Sequence, residues 1–248
     1  MATPPALRWS VVIPAYNEAR RLPRYLREVT GYFDGRDEPY EVLVVDDGST
    51  DDTAGRVREE WAAHPAVDVL RLGTNRGKGA AVRAGMLRAR GALRLMADAD
   101  GATPIAEVKR LEVAVQDGAD LAVASRALAD PSVMVRARVH RRWSGRVFIA
   151  ATRALGVRQV MDTQCGFKLF RGGVADDLFG VLRTDGFGFD VELVLRAERR
   201  GYRIAEIPVN WTDQPGSKVG VFRDGPGMLV QIVAARLRLG GEAGKGTR

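Results

Sequence analysis

Short apolar runs recur along the chain, each ended by a proline, a glycine or an aspartate. Trp9–Pro14 (WSVVIP), Tyr40–Val45 (YEVLVV), Val67–Leu72, Leu93–Ala97 (LRLMA) and Ala119–Ser125 (ADLAVAS) read as buried strands. Between them, apolar residues fall at helical spacing. Asn17-Glu18 opens a helix of about 15 residues, with Leu22, Tyr25, Leu26 and Val29 on one face. Thr50-Asp51-Asp52-Thr53 supplies N-caps for a helix to about Ala63. Gly73–Ala80 (GTNRGKGA) turns into a helix over Ala80–Arg90, and Pro104 starts another that ends near Asp117. Strands alternating with helices at about 25-residue spacing predict an α/β fold, a mostly parallel, doubly wound sheet with helices on both faces.

The second half is less regular. Arg126–Arg142 is basic and loop-like, Trp143–Leu155 an apolar helix, and Asp162–Phe170 (DTQCGFKLF) a turn plus strand. Phe189–Arg200 reads as a helix, Arg203–Val209 as a strand, Trp211–Gly225 as a loop and Met228–Leu239 as a helix with basic residues interleaved. No repeat or linker interrupts the pattern. The expectation is one domain over residues 1–240, with 241–248 a polar, disordered tail.

Composition narrows the chemistry. Of 248 residues, Lys and Arg outnumber Asp and Glu by 38 to 31, a net charge of +7, which favours polyanionic partners. Cys165 is the only cysteine and reads as a small buried filler, so no intrachain disulfide or Cys-based zinc site forms. His64 and His140, the only histidines, are expected at the surface and are too few for a His-rich metal site. The N-terminus lacks a basic-then-apolar signal, and no stretch approaches about 18 uninterrupted apolar residues, so a soluble or peripheral protein is expected.

Ligands of doubly wound sheets bind at the carboxyl ends of the strands, and the candidate residues lie there. Asp98-Ala99-Asp100 follows the fourth strand. Carboxylates at i and i+2 of an extended segment point the same way, and at the end of a buried strand they are costly without a cation. Hard oxygen ligands suit Mg²⁺ or Mn²⁺. Asp46, the first polar residue after the second strand, could accept the imide N–H of uracil or the matching N–H of guanine. Tyr16 and Glu18, at the mouth of the first strand, could stack on a base and bind a ribose. Asn75-Arg76-Gly77-Lys78-Gly79 offers backbone N–H groups and a cation at a helix N-terminus, without the spacing of a Walker A loop or of GxGxxG.

The blocks VVIPAYNE, VVDDGSTD, NRGKGAAVRAG, MADADGAT, ASR, DTQCGFKLF, FGFDVELVLRA and NWTDQPGSKV occur in this order. Together they resemble glycosyltransferase family 2, inverting enzymes of the GT-A fold, over about residues 9–222. DADGAT, DTQCGFKLF and NWTDQPGSK are most similar to the dolichyl- and polyprenyl-phosphate glucosyl- and mannosyltransferases. The resemblance implies that Pro14, Tyr16, Glu18, Asp46, Lys78 and Asp98 surround the nucleotide, with Asp100 the principal metal ligand and Asp98 shared between ribose and metal. It implies Arg126 near the acceptor or donor phosphate, Asp162 near the reacting centre, and Ser217 and Lys218 closing over the pyrophosphate. Asp190 occupies the place where polysaccharide-making relatives carry an acidic base, whereas Glu192 could face solvent.

The implied reaction moves a hexose, glucose from UDP-glucose first, to a polyprenyl or dolichyl phosphate. A GDP-mannose donor and a soluble acceptor are the alternatives. Because a phosphate acceptor is already ionised, Asp162 is expected to orient it rather than take a proton. Arg136, Arg138, Arg141, Arg142 and Arg146 form the densest basic run, beside the apolar Trp143–Leu155 segment. Arg138 and Arg142 are expected to grip the lipid phosphate, which implies peripheral association with the cytoplasmic, inner face of a membrane. With Trp143 as its one aromatic, the run lacks the aromatic interleaving of a nucleic-acid surface.

Overall fold

The computed structural model describes residues 6–136, 149, 150, 152–214 and 221–243, with backbone alone for 221–226 and 241–243. The five expected strands form: β1 (Trp9–Ala15), β2 (Tyr40–Asp46), β3 (Val67–Arg71), β4 (Leu93–Ala97) and β5 (Leu121–Ser125). A short pair, β6 (Val135–Arg136) with β9 (Trp211–Thr212), makes a second, parallel sheet. β7 (Phe167–Arg171) and β8 (Ile204–Pro208) complete the main sheet in the order β3-β2-β1-β4-β7-β5-β8.

All neighbours in that sheet are parallel except β7, which runs antiparallel to both β4 and β5. Its register, Phe167 against Ala97 and Arg171 against Leu93, brings the start of β7 to the carboxyl end of β4. The DTQCGF segment thereby reaches the edge where Asp98 and Asp100 lie.

The helices are α1 (Leu22–Asp34), α2 (Thr53–Glu60), α3 (Lys78–Arg88), α4 (Val108–Gln116), α5 (Gly172–Val181), α6 (Phe189–Arg199) and α7 (Val221–Ala243). Successive residues of β1 feed opposite layers. Val11 and Ile13 pack with Leu22, Leu26 and Phe33 of α1 and Leu111 of α4, and Val12 packs with Val82 and Met86 of α3, Phe179 of α5 and Leu193 of α6. Two covered faces explain why these strands read as continuous apolar runs. Each such Val or Leu contributes about 1.5–3 kcal/mol by leaving water.

Several boundaries differ from expectation. α1 begins at Leu22, because Asn17 adopts a left-handed φ of 53° and turns the chain before Pro23 enters the first helical turn. α3 starts at Lys78, two residues early, so that the lysine stands at the helix N-terminus. Pro104 precedes a 3₁₀ turn at Ile105–Glu107 rather than opening α4 directly. α7 runs on through Ala243, into the segment expected to be a tail. Of Trp143–Leu155, residues 143–148 and 151 lie outside the described residues, and 152–154 are helical.

Candidate active site

The loops after β1 and β2 are knitted into one surface. Asn17 Oδ1 accepts the N–H of Thr50 at 2.8 Å and that of Asp51 at 3.2 Å. In return Ser49 Oγ accepts the Asn17 N–H at 2.9 Å, and Thr53 Oγ1 accepts the Glu18 N–H at 2.8 Å. The expected cap residues therefore cross-link two loops, and Asp52, at the N-cap of α2, makes no side-chain capping bond.

Asp46 is fully buried at the end of β2. Its Oδ1 accepts the Ser49 N–H at 2.9 Å, while Oδ2 has no hydrogen bond, although Arg71 Nε lies 3.2 Å away within ion-pair range. A buried carboxylate oxygen with an ion-pair partner but no hydrogen bond has room to accept a base N–H. Asp47 accepts the backbone N–H groups of Arg76 and Gly77, each at 2.8 Å, and so fixes the NRGKG turn. Burial raises the Asp47 carboxyl above its ordinary range, outweighing those two amides. Pro14 is buried within β1 and Tyr16 is half-buried beyond it. Glu18, expected at the ribose, accepts from Arg21 with both its oxygens, at 2.7 and 2.5 Å.

Asp98 and Asp100 lie past β4 in a turn that ends at Gly101 with φ 66°. Their proximity therefore comes from the turn and not from strand alternation. Lys78 Nζ sits 2.5 Å from Asp98 Oδ1. Asp100 Oδ1 accepts the Ala102 N–H at 3.1 Å. Burial first, then the Asp98 charge, push the Asp100 carboxyl above its ordinary range. For Lys78, burial works against the charge, but Asp98 and Asp190 more than restore it, so its proton is held more tightly than usual. Asp98 N–H donates to the Gly166 carbonyl at 2.9 Å. A Cβ at Gly166 would collide with the Asp98 carboxylate, so the glycine leaves room for it.

Arg126 and Asp162 form one unit. Asp162 Oδ2 accepts the Arg126 N–H at 2.9 Å and Nε–H at 2.7 Å, and Oδ1 accepts from the outer guanidinium nitrogen at 2.8 Å. The guanidinium carbon lies 5.3 Å from the centre of the Trp211 ring. Burial would raise the Asp162 carboxyl, but Arg126 overrides it and holds the group below the ordinary carboxylate range. Such a carboxylate is a poor proton acceptor and a fixed negative charge.

Asp190, expected as the candidate base, lies inside the fold at the start of α6. It is 2% exposed, and its Oδ1 lies 2.5 Å from Nζ of Lys168, itself fully buried. Burial raises the Asp190 carboxyl more than Lys168 and Lys78 lower it. Glu192, which by sequence could face solvent, is also fully buried. It accepts the N–H of Thr184 at 2.8 Å and pairs with Arg196 at 2.8 Å and Arg238 at 3.3 Å, tying α6 to the preceding loop and to α7. Lys168 escaped the sequence reading because FKLFR alternates like a half-exposed strand, whereas β7 is central and covered on both sides.

Cys165 is fully buried as expected, and burial pushes its thiol up to about 11. His64 is less exposed than expected: it packs against Tyr40 with a buried Nδ1 that has no hydrogen-bond partner. Arg138, Arg142, Ser217 and Lys218 lie outside the described residues, as does His140. Among the described residues no cluster of three or more His, Cys, Asp and Glu side chains could hold a metal ion, and no helix is long and apolar enough to cross a membrane.

Comparison with known proteins matches this architecture. The dolichyl-phosphate beta-glucosyltransferase of Drosophila melanogaster is 40% identical over 231 residues, covering 88% of this chain and 71% of its own length. The human protein of the same name is 38% identical over 248 residues, covering 94% and 76%. The glucosyl-3-phosphoglycerate synthase of Mycobacterium tuberculosis, solved with Mn²⁺ and UDP-glucose, superposes with a TM-score of 0.68 at 22% identity, over 94% of this chain and 78% of that one. The sheet is thus that of GT-A glycosyltransferases. The description of glycosyl transferase family 2 matches residues 10–179, and the chain belongs to that family.

Proposed function

We propose that the protein transfers glucose from UDP-glucose to a polyprenyl phosphate with inversion at the anomeric carbon. The relatives' names supply the sugar and the class of acceptor. The supporting observation within the chain is that the donor and acceptor stretches meet: Asp98, expected on the nucleotide, donates its N–H to Gly166 of the segment carrying Asp162.

The donor's uracil would complete Asp46 Oδ2, with Tyr16 beside it. Lys78 would face the diphosphate, where negative charge grows as the glycosidic bond breaks. Two carboxylates, one pushed up by burial and then by the other's charge, fit a hard divalent cation, with Asp100 and Asp98 as its protein ligands. Bound there, Mg²⁺ or Mn²⁺ would supply Lewis-acid stabilisation of the leaving nucleoside diphosphate. Since the described residues offer only this pair, donor phosphates and water would make up the remaining ligands. The acceptor phosphate needs orientation rather than deprotonation. Arg126, held by Asp162 and Trp211, offers a fixed cation for that task, and Arg138, Arg142, Ser217 and Lys218 remain the proposed outer contacts.

Peripheral association with the inner face of a membrane is part of the same proposal. α7 buries Met228, Ile232, Ala235 and Leu239, while Leu229, Val233 and Leu237, at i, i+4 and i+8, are exposed together with Val230. An apolar line beside arginines suits a lipid interface.

The test is a panel of UDP- and GDP-sugars, with and without polyprenyl phosphate and Mn²⁺. Glucose in a lipid-extractable product is expected. Mannose from GDP-mannose, or label only in water-soluble product, would overturn the donor or the acceptor assignment respectively.

A further inference from the structure

Lys168 has no part in the proposed chemistry, yet it is a fully buried charge held on two sides. It sits mid-strand in β7, paired in register with Met96 of β4 and Val123 of β5, and is fully buried. Nζ donates to Asp190 Oδ1 of α6 at 2.5 Å and to the Cys165 carbonyl at 2.7 Å. The next residue, Gly166, accepts the Asp98 N–H and leaves the space that the Asp98 carboxylate fills. A chain of contacts therefore runs from α6 through Asp190, Lys168 and the Cys165–Gly166 turn to Asp98. A sheet interior has no need of it: a buried ion pair is often no more stabilising than apolar residues of similar volume, and a Leu or Met would suit both neighbouring strands.

We propose that Lys168, anchored by Asp190, is a positioning residue that locks the Cys165–Gly166 turn, and so sets where the Asp98 carboxylate stands relative to Lys78 and the acceptor-side Asp162. Asp190 thus acts through Lys168 and not on substrate. The consequence for turnover rests on the glucosyl-transfer reading; the consequence for the turn does not.

The experiment replaces the pair by apolar residues, Lys168→Met with Asp190→Leu, and measures hydrogen exchange at the Asp98 amide, UDP affinity with Mn²⁺, and transfer kinetics. Expected are a melting temperature near or above wild type, Asp98 exchange faster by about tenfold or more, and kcat lower by about tenfold or more with KM for UDP-glucose within about threefold. Lys168→Arg, which can donate to both partners, should restore exchange protection and most of kcat. A folded double variant with wild-type exchange at Asp98 and wild-type kcat overturns the proposal. Should the double variant fail to fold, Asp190→Asn decides, since it keeps the shape: unchanged Asp98 exchange overturns the proposal, and faster exchange confined to residues 98–101 and 165–166 supports it. Altered exchange in a protein whose wild type transfers no glucose would leave the lock standing and remove the reaction.

Discussion

At the residue scale, the proposed metal role of Asp100 can be tested apart from the fold. Among the described residues the Asp100 carboxylate has one hydrogen bond, from the Ala102 N–H, so Asp100→Ala should leave the fold intact, with a melting temperature within a few degrees of wild type. Mn²⁺ binding should weaken, and glucosyl transfer should fall by about 100-fold or more, as expected for loss of charge stabilisation on the leaving group. Full transfer by that variant in the presence of a chelator would contradict the assignment. Asp162 yields a pH prediction. Its folded value is held below the unfolded value of about 4, so its contribution to stability is complete above that value and is lost as pH falls through the folded one. Asp162→Asn should therefore be less stable by about 1–3 kcal/mol at neutral pH, where Arg126 is left without its partner, and the difference should shrink only below about pH 4. A difference that disappears between about pH 5 and 7 would mean that the carboxyl is not held low. Asp46 and Asp98 were conspicuous as polar residues directly after buried strands, Asp100 as the second carboxylate of an i, i+2 pair, and Lys78 as the cation of a glycine-rich turn at a helix start. Lys168 was not, because one charge in an alternating strand looks solvent-facing until the neighbours on both sides are known.

At the scale of elements, the loops carry more of the site than the helices do. Gly48 has φ 68°, and a Cβ there would stand 2.5 Å from the Thr74 backbone carbon. Backbone cannot yield as a side chain can, so Gly48→Ala should cost about 1–3 kcal/mol and weaken UDP binding by separating the β2 loop from the NRGKG turn. Gly166→Ala acts differently, because what it strikes is the Asp98 carboxylate. Its stability should change by less than that of Gly48→Ala, with UDP–Mn²⁺ affinity falling by about tenfold or more. Equal losses of stability with unchanged affinity would argue that Gly166 serves packing alone. Helix starts were misplaced by two to five residues where the backbone departs from helical φ, as at Asn17, or where a turn is held by a distant carboxylate, as Asp47 holds Arg76 and Gly77. Neither interaction is periodic, so neither shows in an apolar pattern.

For the whole molecule, the alternation of strands and helices was enough to predict a mostly parallel, doubly wound sheet, and the order of motifs placed it among GT-A enzymes. It was not enough to place β7, whose antiparallel insertion between β4 and β5 depends on contacts distant in sequence. That insertion brings the segment carrying Asp162 to the edge where Asp98 and Asp100 stand, and so joins two halves of the chain at one edge. The positive balance of the chain belongs to this scale as well: with a net charge of +7, binding to anionic vesicles should weaken as salt rises, while the apolar line on α7 should keep part of it. The most direct measurement is transfer from labelled UDP-glucose, with Mn²⁺, to a short-chain polyprenyl phosphate in detergent, comparing wild type with Asp100→Ala. Label in the lipid phase with wild type, strongly reduced in the variant, is the predicted result. Label that stays in the aqueous phase, or reaches lipid equally well with Asp100→Ala, would contradict it.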